Sequence, residues 1–287
     1  MGILAAFLCA IFVSSKDLVS KKISFNVEGT LSAFASFLFA LPYYVVVLAI
    51  LYYLGYEEFL LTNEIVTLIV LRSVSDMFAE TLKMHAIARA DISLLSSVFA
   101  LYPLLLLFVG PAITGDELST PIIISTIIIS IGSQILVWKS AKVSAKNQLP
   151  GILLAMCSAL CFAFNTSFDR LAAQKSTPVF ASFSMTLLAC IFLFFILMGS
   201  KSRSSGRQLI TNKGKFFLRG FFEVAFMITK LTALRYLSVS YVVGIQNISL
   251  LISIVAGTLI FKEKDFKRRI TAGLLIFCGI MLMLIFG

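Results

Sequence analysis

"LRSVSDMFAETLKMHAIARADIS", Leu71 to Ser93, places Arg72, Asp76, Glu80, Lys83, His85, Arg89 and Asp91 between long apolar runs. Slid along the chain at an offset of 147, it lands on "LRGFFEVAFMITKLTALRYLSVS", Leu218 to Ser240. Leu71 meets Leu218, Arg72 meets Arg219, Asp76 meets Glu223, Lys83 meets Lys230, Ala86 meets Ala233 and Ser93 meets Ser240. The register runs on without a gap, so that Gly110 falls on Gly257 and Asp116 on Glu263. Charges that agree in sign this often are a mark of an internal repeat when only 13% of residues are charged.

The rest of the chain says what medium that repeat lives in. Of the 287 residues, 59% are hydrophobic and 27 are Phe, and the mean hydropathy is +1.00. A soluble domain is about 45–50% apolar and about 25% charged. A soluble fold could not cover this much apolar surface, so lipid must be part of the solvent. The net charge of +10 does not signal nucleic acid, because the basic residues sit in short segments between apolar runs. That placement serves topology and anionic headgroups. Cys9, Cys157, Cys161, Cys190 and Cys278 all fall inside apolar runs. No His or second pair joins them as metal ligands, and they read as buried free thiols.

A span needs roughly 17–25 mostly apolar residues. Ten such runs are present: Gly2–Val19, Gly29–Leu54, Ile69–Ala88, Ile92–Ile113, Thr120–Trp138, Gly151–Leu171, Val179–Met198, Phe216–Leu234, Val239–Phe261 and Ile270–Phe286. The first lacks a basic leader and a clear cleavage site, so it reads as a membrane helix and not a signal peptide. None shows the every-second-residue alternation of a barrel strand. The fold class is therefore all-α: an integral membrane protein of ten transmembrane helices in two five-helix repeats, 1–139 and 149–287. An odd number of spans per repeat inserts the second half upside down relative to the first. Inverted repeats of this kind are common in secondary transporters, whose substrate sites lie near the midplane between the halves.

Lys and Arg mark cytoplasmic loops. Loops 1–2, 5–6, 7–8 and 9–10 are basic, for example Lys139, Lys142 and Lys146, or Lys262, Lys264 and Lys267. Loop 2–3 is acidic, with Glu57, Glu58 and Glu64. By charge count both termini face outward.

The C-terminal "LTALRYLSVSYVVGIQNISLLISIVAGTLIFKEKDFKRRITAGLLIFCGIMLML" resembles the drug/metabolite transporter superfamily in its EamA-type, ten-helix branch. "HAIARADIS" and "GDELS" are the first-half equivalents, and "ALCFAFNTSFDRLA" is similar to the family's first-helix pattern. The resemblance covers nearly the whole chain. It implies ten helices in two inverted bundles and transport of a small molecule without a bound cofactor. Relatives are usually drawn with both termini in the cytoplasm, which conflicts with the charge count. Asp76/Glu223 and Lys83/Lys230 are more charge than a typical member carries in its third and eighth helices. That weighs against an unselective hydrophobic-drug role.

Successive helical residues are about 100° apart, so Arg72, Asp76 and Lys83 share a sector of roughly 40°. Arg219, Glu223 and Lys230 do the same on the matched helix. An ionised residue at the bilayer centre costs at least ~2.5–3.5 kcal/mol, so both stripes must face protein or water. Arg72–Asp76 and Arg219–Glu223 can pair at i,i+4. If the two helices face each other, Asp76 can also meet Arg219 or Lys230.

In the functional reading the stripes line a polar cavity. Asp76 and Glu223 would hold a substrate ammonium or a coupled proton, and Arg72, Arg219, Lys83 and Lys230 a carboxylate or phosphate. In the purely structural reading the basic residues mark helix ends, and the acids are their counter-ions. Asn165, Gln246 and Asn247 are further candidates, although buried amides also join helices. Glu80, with only Met227 opposite, reads as peripheral; Asp169–Arg170 reads as an interfacial pair; and Pro42 and Pro103 read as kinks. There is one His and neither a phosphate loop nor a His-Glu-x-x-His motif. No catalytic residue, metal or cofactor is implied, and an enzyme or a non-transporting sensor is the weaker alternative. The expected partners are a small-molecule substrate and the lipid bilayer, in a bacterial inner (plasma) membrane, with monomer and homodimer both open.

Overall fold

The computed structural model describes residues 1–24, 27, 29–56, 61–87, 89, 98–137, 149–199, 205–249, 252 and 266–287. The helices are α1 (Gly2–Ser24), α2 (Gly29–Tyr53), α3 (Asn63–Ile87), α4 (Tyr102–Thr114), α5 (Thr120–Val137), α6 (Leu149–Lys175), α7 (Pro178–Gly199), α8 (Ser205–Thr211), α9 (Lys213–Tyr236), α10 (Val239–Gln246) and α11 (Phe266–Phe286). The described residues contain no strand. The fold is all-helical, as read from the sequence. Leaving out the seven-residue α8, the helices follow the ten expected runs in order, which is compatible with ten spans. The start of the fourth run, the end of the ninth, the joint Lys139–Gln148 and most basic loop residues lie outside the described residues.

Two helices outrun their hydrocarbon segments with polar turns. α3 starts six residues before Ile69. The Ile65 N–H donates to Thr62 Oγ1 (3.3 Å), and Glu64 puts negative charge at the helix's positive end. α6 continues to Lys175, which bonds Glu64 and ties the two extensions together outside the apolar zone. Pro42 lies inside α2. Pro103 instead sits in the first turn of α4. There a missing N–H costs no helical bond, so it starts that helix and does not kink it.

Among the described residues, four helices are long and apolar enough to cross a membrane: Gly2–Ser20, Thr30–Tyr53, Leu149–Lys175 and Pro178–Gly199. α3 and α9 fall outside that group because each carries its charged stripe. The outer surface is apolar, with Phe108 78% and Phe195 65% exposed. Side chains of that size are left outside where lipid, not water, covers them. Of the thiols, Cys9 and Cys190 are buried and Cys161 is half-buried. Cys157 and Cys278 are exposed, so the set is not uniformly buried as the apolar runs suggested.

α3 lies along α6, α1 along α9, and α5 along α11; α2 runs between α7 and α9; α4 packs on α6 and α10 on α1. Small residues permit these approaches. A Cβ on Gly220 of α9 would stand 2.5 Å from the Phe39 carbonyl oxygen of α2. One on Gly279 of α11 would stand 3.0 Å from the Ser125 oxygen of α5. Ser158 Oγ donates to the Ala79 oxygen (2.7 Å) and Ser75 Oγ to the Cys161 oxygen (3.2 Å), tying α3 to α6. The main core gathers Cys9, Tyr44, Leu106, Met185, Leu231 and Met283 between these helices.

Candidate functional site

Charged side chains in an apolar bundle must converge, since each needs either a counter-charge or water. They converge on one cavity of about 410 Å³. α1 supplies Lys16; α2 Ser36 and Phe37; α3 Arg72, Asp76, Glu80 and Lys83; and α6 Phe162, Asn165 and Thr166. α9 supplies Arg219, Glu223, Phe226, Met227 and Lys230, α10 supplies Gln246, and Phe99 and Tyr102 close the wall. Eight of the nine residues singled out in the sequence therefore border a single space. Asn247 is not among the lining residues; its Nδ2 donates to the Val243 oxygen (2.9 Å) one turn back.

On α3, Arg72 Nη1 donates to Asp76 Oδ2 (2.7 Å), the expected i,i+4 pair. Asp76 does not reach Arg219 or Lys230. Its other oxygen accepts from Asn165 Nδ2 (2.9 Å), because α3 faces α6 and not α9. The link between the stripes is Asp169, which is 0% exposed. Arg72 Nε donates to its Oδ1 (3.1 Å), and Lys230 Nζ to its Oδ2 (2.8 Å). Lys230 also donates to Thr166 Oγ1 (3.1 Å), and that hydroxyl shares a 2.5 Å hydrogen bond with the Tyr102 hydroxyl. One carboxylate thus binds two cations from different halves of the chain.

The opposite wall is more loosely paired. Lys16 Nζ lies 3.4 Å from Glu223 Oε2 and Arg219 Nη1 lies 4.0 Å from the same oxygen. Arg219 Nε donates to Ser20 Oγ (2.6 Å). The Lys16 ammonium also sits 4.0 Å from the Phe226 ring centre, a favourable place for a cation. Lys83 Nζ is 3.5 Å from Glu80 Oε1.

Two sequence readings change here. Asp169 and Arg170 are not an interfacial pair, since they point to different partners and both are buried. Arg170 makes a two-pronged contact with Asp116 (3.3 and 3.0 Å) and bonds the Leu234 oxygen, fastening the ends of α4, α6 and α9. Glu80 is not peripheral but lines the cavity beside Lys83. Lys16, Asp169, Thr166 and Tyr102 were missed. Asp169 did carry a signal, because it follows Asn165 by four residues on the same helical face. Lys16 lies at the end of an apolar run, where a lysine ordinarily snorkels.

The arrangement can hold a small molecule by charge, hydrogen bonds and aromatic contact. Comparison with known proteins gives this a family setting. No curated protein matches the chain. One solved structure, described only as "Crystal structure of protein", is similar over 100% of this chain and 99% of its own, with 18% identity and a TM-score of 0.77. At that identity the likeness speaks for the shared fold alone. The apolar helices and a match to a transporter family over the second half of the chain point to an integral membrane protein. The model of the EamA-like transporter family matches residues 149–285, so the resemblance to the drug/metabolite transporters is borne out, and over that half the chain is EamA-like.

Proposed function

We propose that the protein is a secondary transporter of a small polar or amphoteric metabolite, an amino acid or a derivative. The cargo passes by alternating access through the cavity between two inverted repeats. One observation carries the reading: the matched charged stripes of α3 and α9 both border the same cavity, with acids and bases side by side. A zwitterion complements such a surface, whereas a purely apolar cargo would leave these charges desolvated.

The helix pairings support the inverted repeat. Under the repeat offset α1 corresponds to α6 and α3 to α9, so the pair α3–α6 exchanges with α9–α1. The pair α2–α9 likewise exchanges with α7–α3, while α5–α11 maps onto itself. Exchange of this kind is what a two-fold axis between the halves produces. With no nucleotide-binding motif in the sequence, the driving energy comes from a gradient or from exchange. Asp76 and Glu223 are the groups suited to a coupled proton. A second reading, a broad-specificity exporter, has its own support in the aromatic wall of Phe37, Phe99, Phe162 and Phe226.

A substrate screen on proteoliposomes tests the choice. Purified protein is first challenged with amino acids, their derivatives and hydrophobic cations by thermal shift, and the ligands found are then measured for uptake. Polar zwitterions should bind and move, and Asp76→Asn and Glu223→Gln should abolish flux while the protein still folds. Unchanged flux of every substrate in both variants would remove these acids from the mechanism. Movement of hydrophobic cations alone would favour the exporter reading.

A further inference from the structure

Arg72 and Arg219 occupy matching positions in the two copies of the charged stretch, yet they are held by different chemistry. Aligning Gly2 with Gly151, an offset of 149, puts Lys16 on Asn165 and Ser20 on Asp169. The contacts follow the same correspondence. Asn165 donates to Asp76 (2.9 Å) where Lys16 approaches Glu223 (3.4 Å). Arg72 Nε donates to Asp169 (3.1 Å) where Arg219 Nε donates to Ser20 (2.6 Å). The geometry repeats, but a carboxylate on one side is a neutral hydroxyl on the other.

The consequence is an uneven charge balance. Arg72 and Lys230 are matched by Asp76 and Asp169, and Lys83 is matched by Glu80. Lys16 and Arg219 share Glu223 alone. Among the described residues the site thus has one more cation than carboxylates, and the excess lies at Arg219. Its Nη1 is buried with no hydrogen-bond partner. A charged donor with no hydrogen-bond acceptor away from water is costly, and a ligand oxyanion would supply one. A second orphan borders the same cavity. Asn165 is 2% exposed and its Oδ1 has no partner, since the amide nitrogen is committed to Asp76. Flipping the amide would only set oxygen against carboxylate. Oδ1 is therefore an acceptor waiting for a donor.

The geometry points to Arg219, supported by Lys16, as the subsite for the acid group of the cargo. Ser20 keeps that subsite open, and Asn165 Oδ1 accepts an N–H or O–H from the same molecule. Ser20 acts through Arg219, as a positioning residue that selects for an anion: a carboxylate at its place would occupy the guanidinium as Asp169 occupies Arg72. This rests on the cavity being the transport site.

The test uses the purified full chain and a panel of amino acids, each paired with its own carboxamide, read by thermal shift and equilibrium binding. Wild type should bind at least one acid about tenfold or more tighter than its amide. Ser20→Asp should erase that preference by weakening the acid about tenfold, with the amide within roughly threefold of wild type. Ser20→Thr, which keeps the hydroxyl, should bind as wild type does. If Ser20→Asp fails to fold, Arg219→Gln carries the same prediction. Equal binding of acids and amides by wild type, no acid bound at all, or an intact preference in Ser20→Asp and Arg219→Gln would overturn the assignment. Flux separates the two ideas. Acids bound selectively but never transported would sink the transport reading and leave the subsite. Transport with no dependence on Ser20 or Arg219 would do the reverse.

Discussion

Asp169→Asn is the sharpest perturbation of the bundle itself. The carboxylate is fully buried and binds Arg72 at 3.1 Å and Lys230 at 2.8 Å. The amide keeps one acceptor but turns an N–H₂ toward a cation and removes the counter-charge. Arg72 still has Asp76 at 2.7 Å, so most of the loss falls on Lys230, whose other hydrogen-bond acceptor is Thr166. Removing one member of a buried pair costs about 3–5 kcal/mol, and the remaining acceptor places this variant near the lower end, about 3 kcal/mol. Unfolding of the purified chain in mixed micelles, titrated with a denaturing detergent, measures it. A second variant separates charge from packing. With Lys230→Met in the same chain, the buried unpaired cation is gone, and the double variant should be less destabilised than the sum of the singles by about 1–3 kcal/mol. A single variant within about 0.5 kcal/mol of wild type, or strict additivity, would refute the idea that Asp169 neutralises both halves of the site.

Two further outcomes follow from local features. Hydrogen bonding from Lys175, reinforced by its charge, holds the exposed Glu64 carboxyl below its ordinary value of 4.5. A depressed carboxylate stabilises the fold above its unfolded pKa, and that contribution is lost as pH falls through the lowered folded value. The stability difference between wild type and Glu64→Gln should therefore stay constant above about pH 5.5 and shrink below about pH 4.5; a difference that grows on acidification would contradict the pairing. At the α2–α9 crossing, Gly220→Ala forces a Cβ to within 2.5 Å of the Phe39 oxygen, and overpacking of this kind costs about 1–3 kcal/mol. Gly214→Ala on the same helix meets nothing within 4 Å and should be neutral or slightly stabilising by melting temperature. Equal effects of the two would show that the helices can spread apart there.

Much of the architecture is legible in the sequence. Apolar runs of spanning length are a local property, so the helices fell where composition put them. The charged stripes were legible for a related reason. Helical periodicity places Arg72, Asp76 and Lys83 on one face, and the second copy at Arg219, Glu223 and Lys230 marks them against the scattered charges of Arg89 and Asp91. The partners of those stripes were not legible. Asp169 looked like half of an interfacial pair, and Lys16 drew no reading inside the first apolar run. Their roles depend on α6 lying along α3 and α1 along α9, and no local pattern states which helix neighbours which. The same ignorance set Asp76 opposite Arg219 or Lys230, when Asn165 is its partner across the interface, and left Glu80 outside the cavity it lines. The sequence by itself determined where the helices fall, which two charged stretches match and which faces must avoid lipid. Only the tertiary structure decided which charges meet, because pairing among buried charges is set by distances between helices that are remote in the chain.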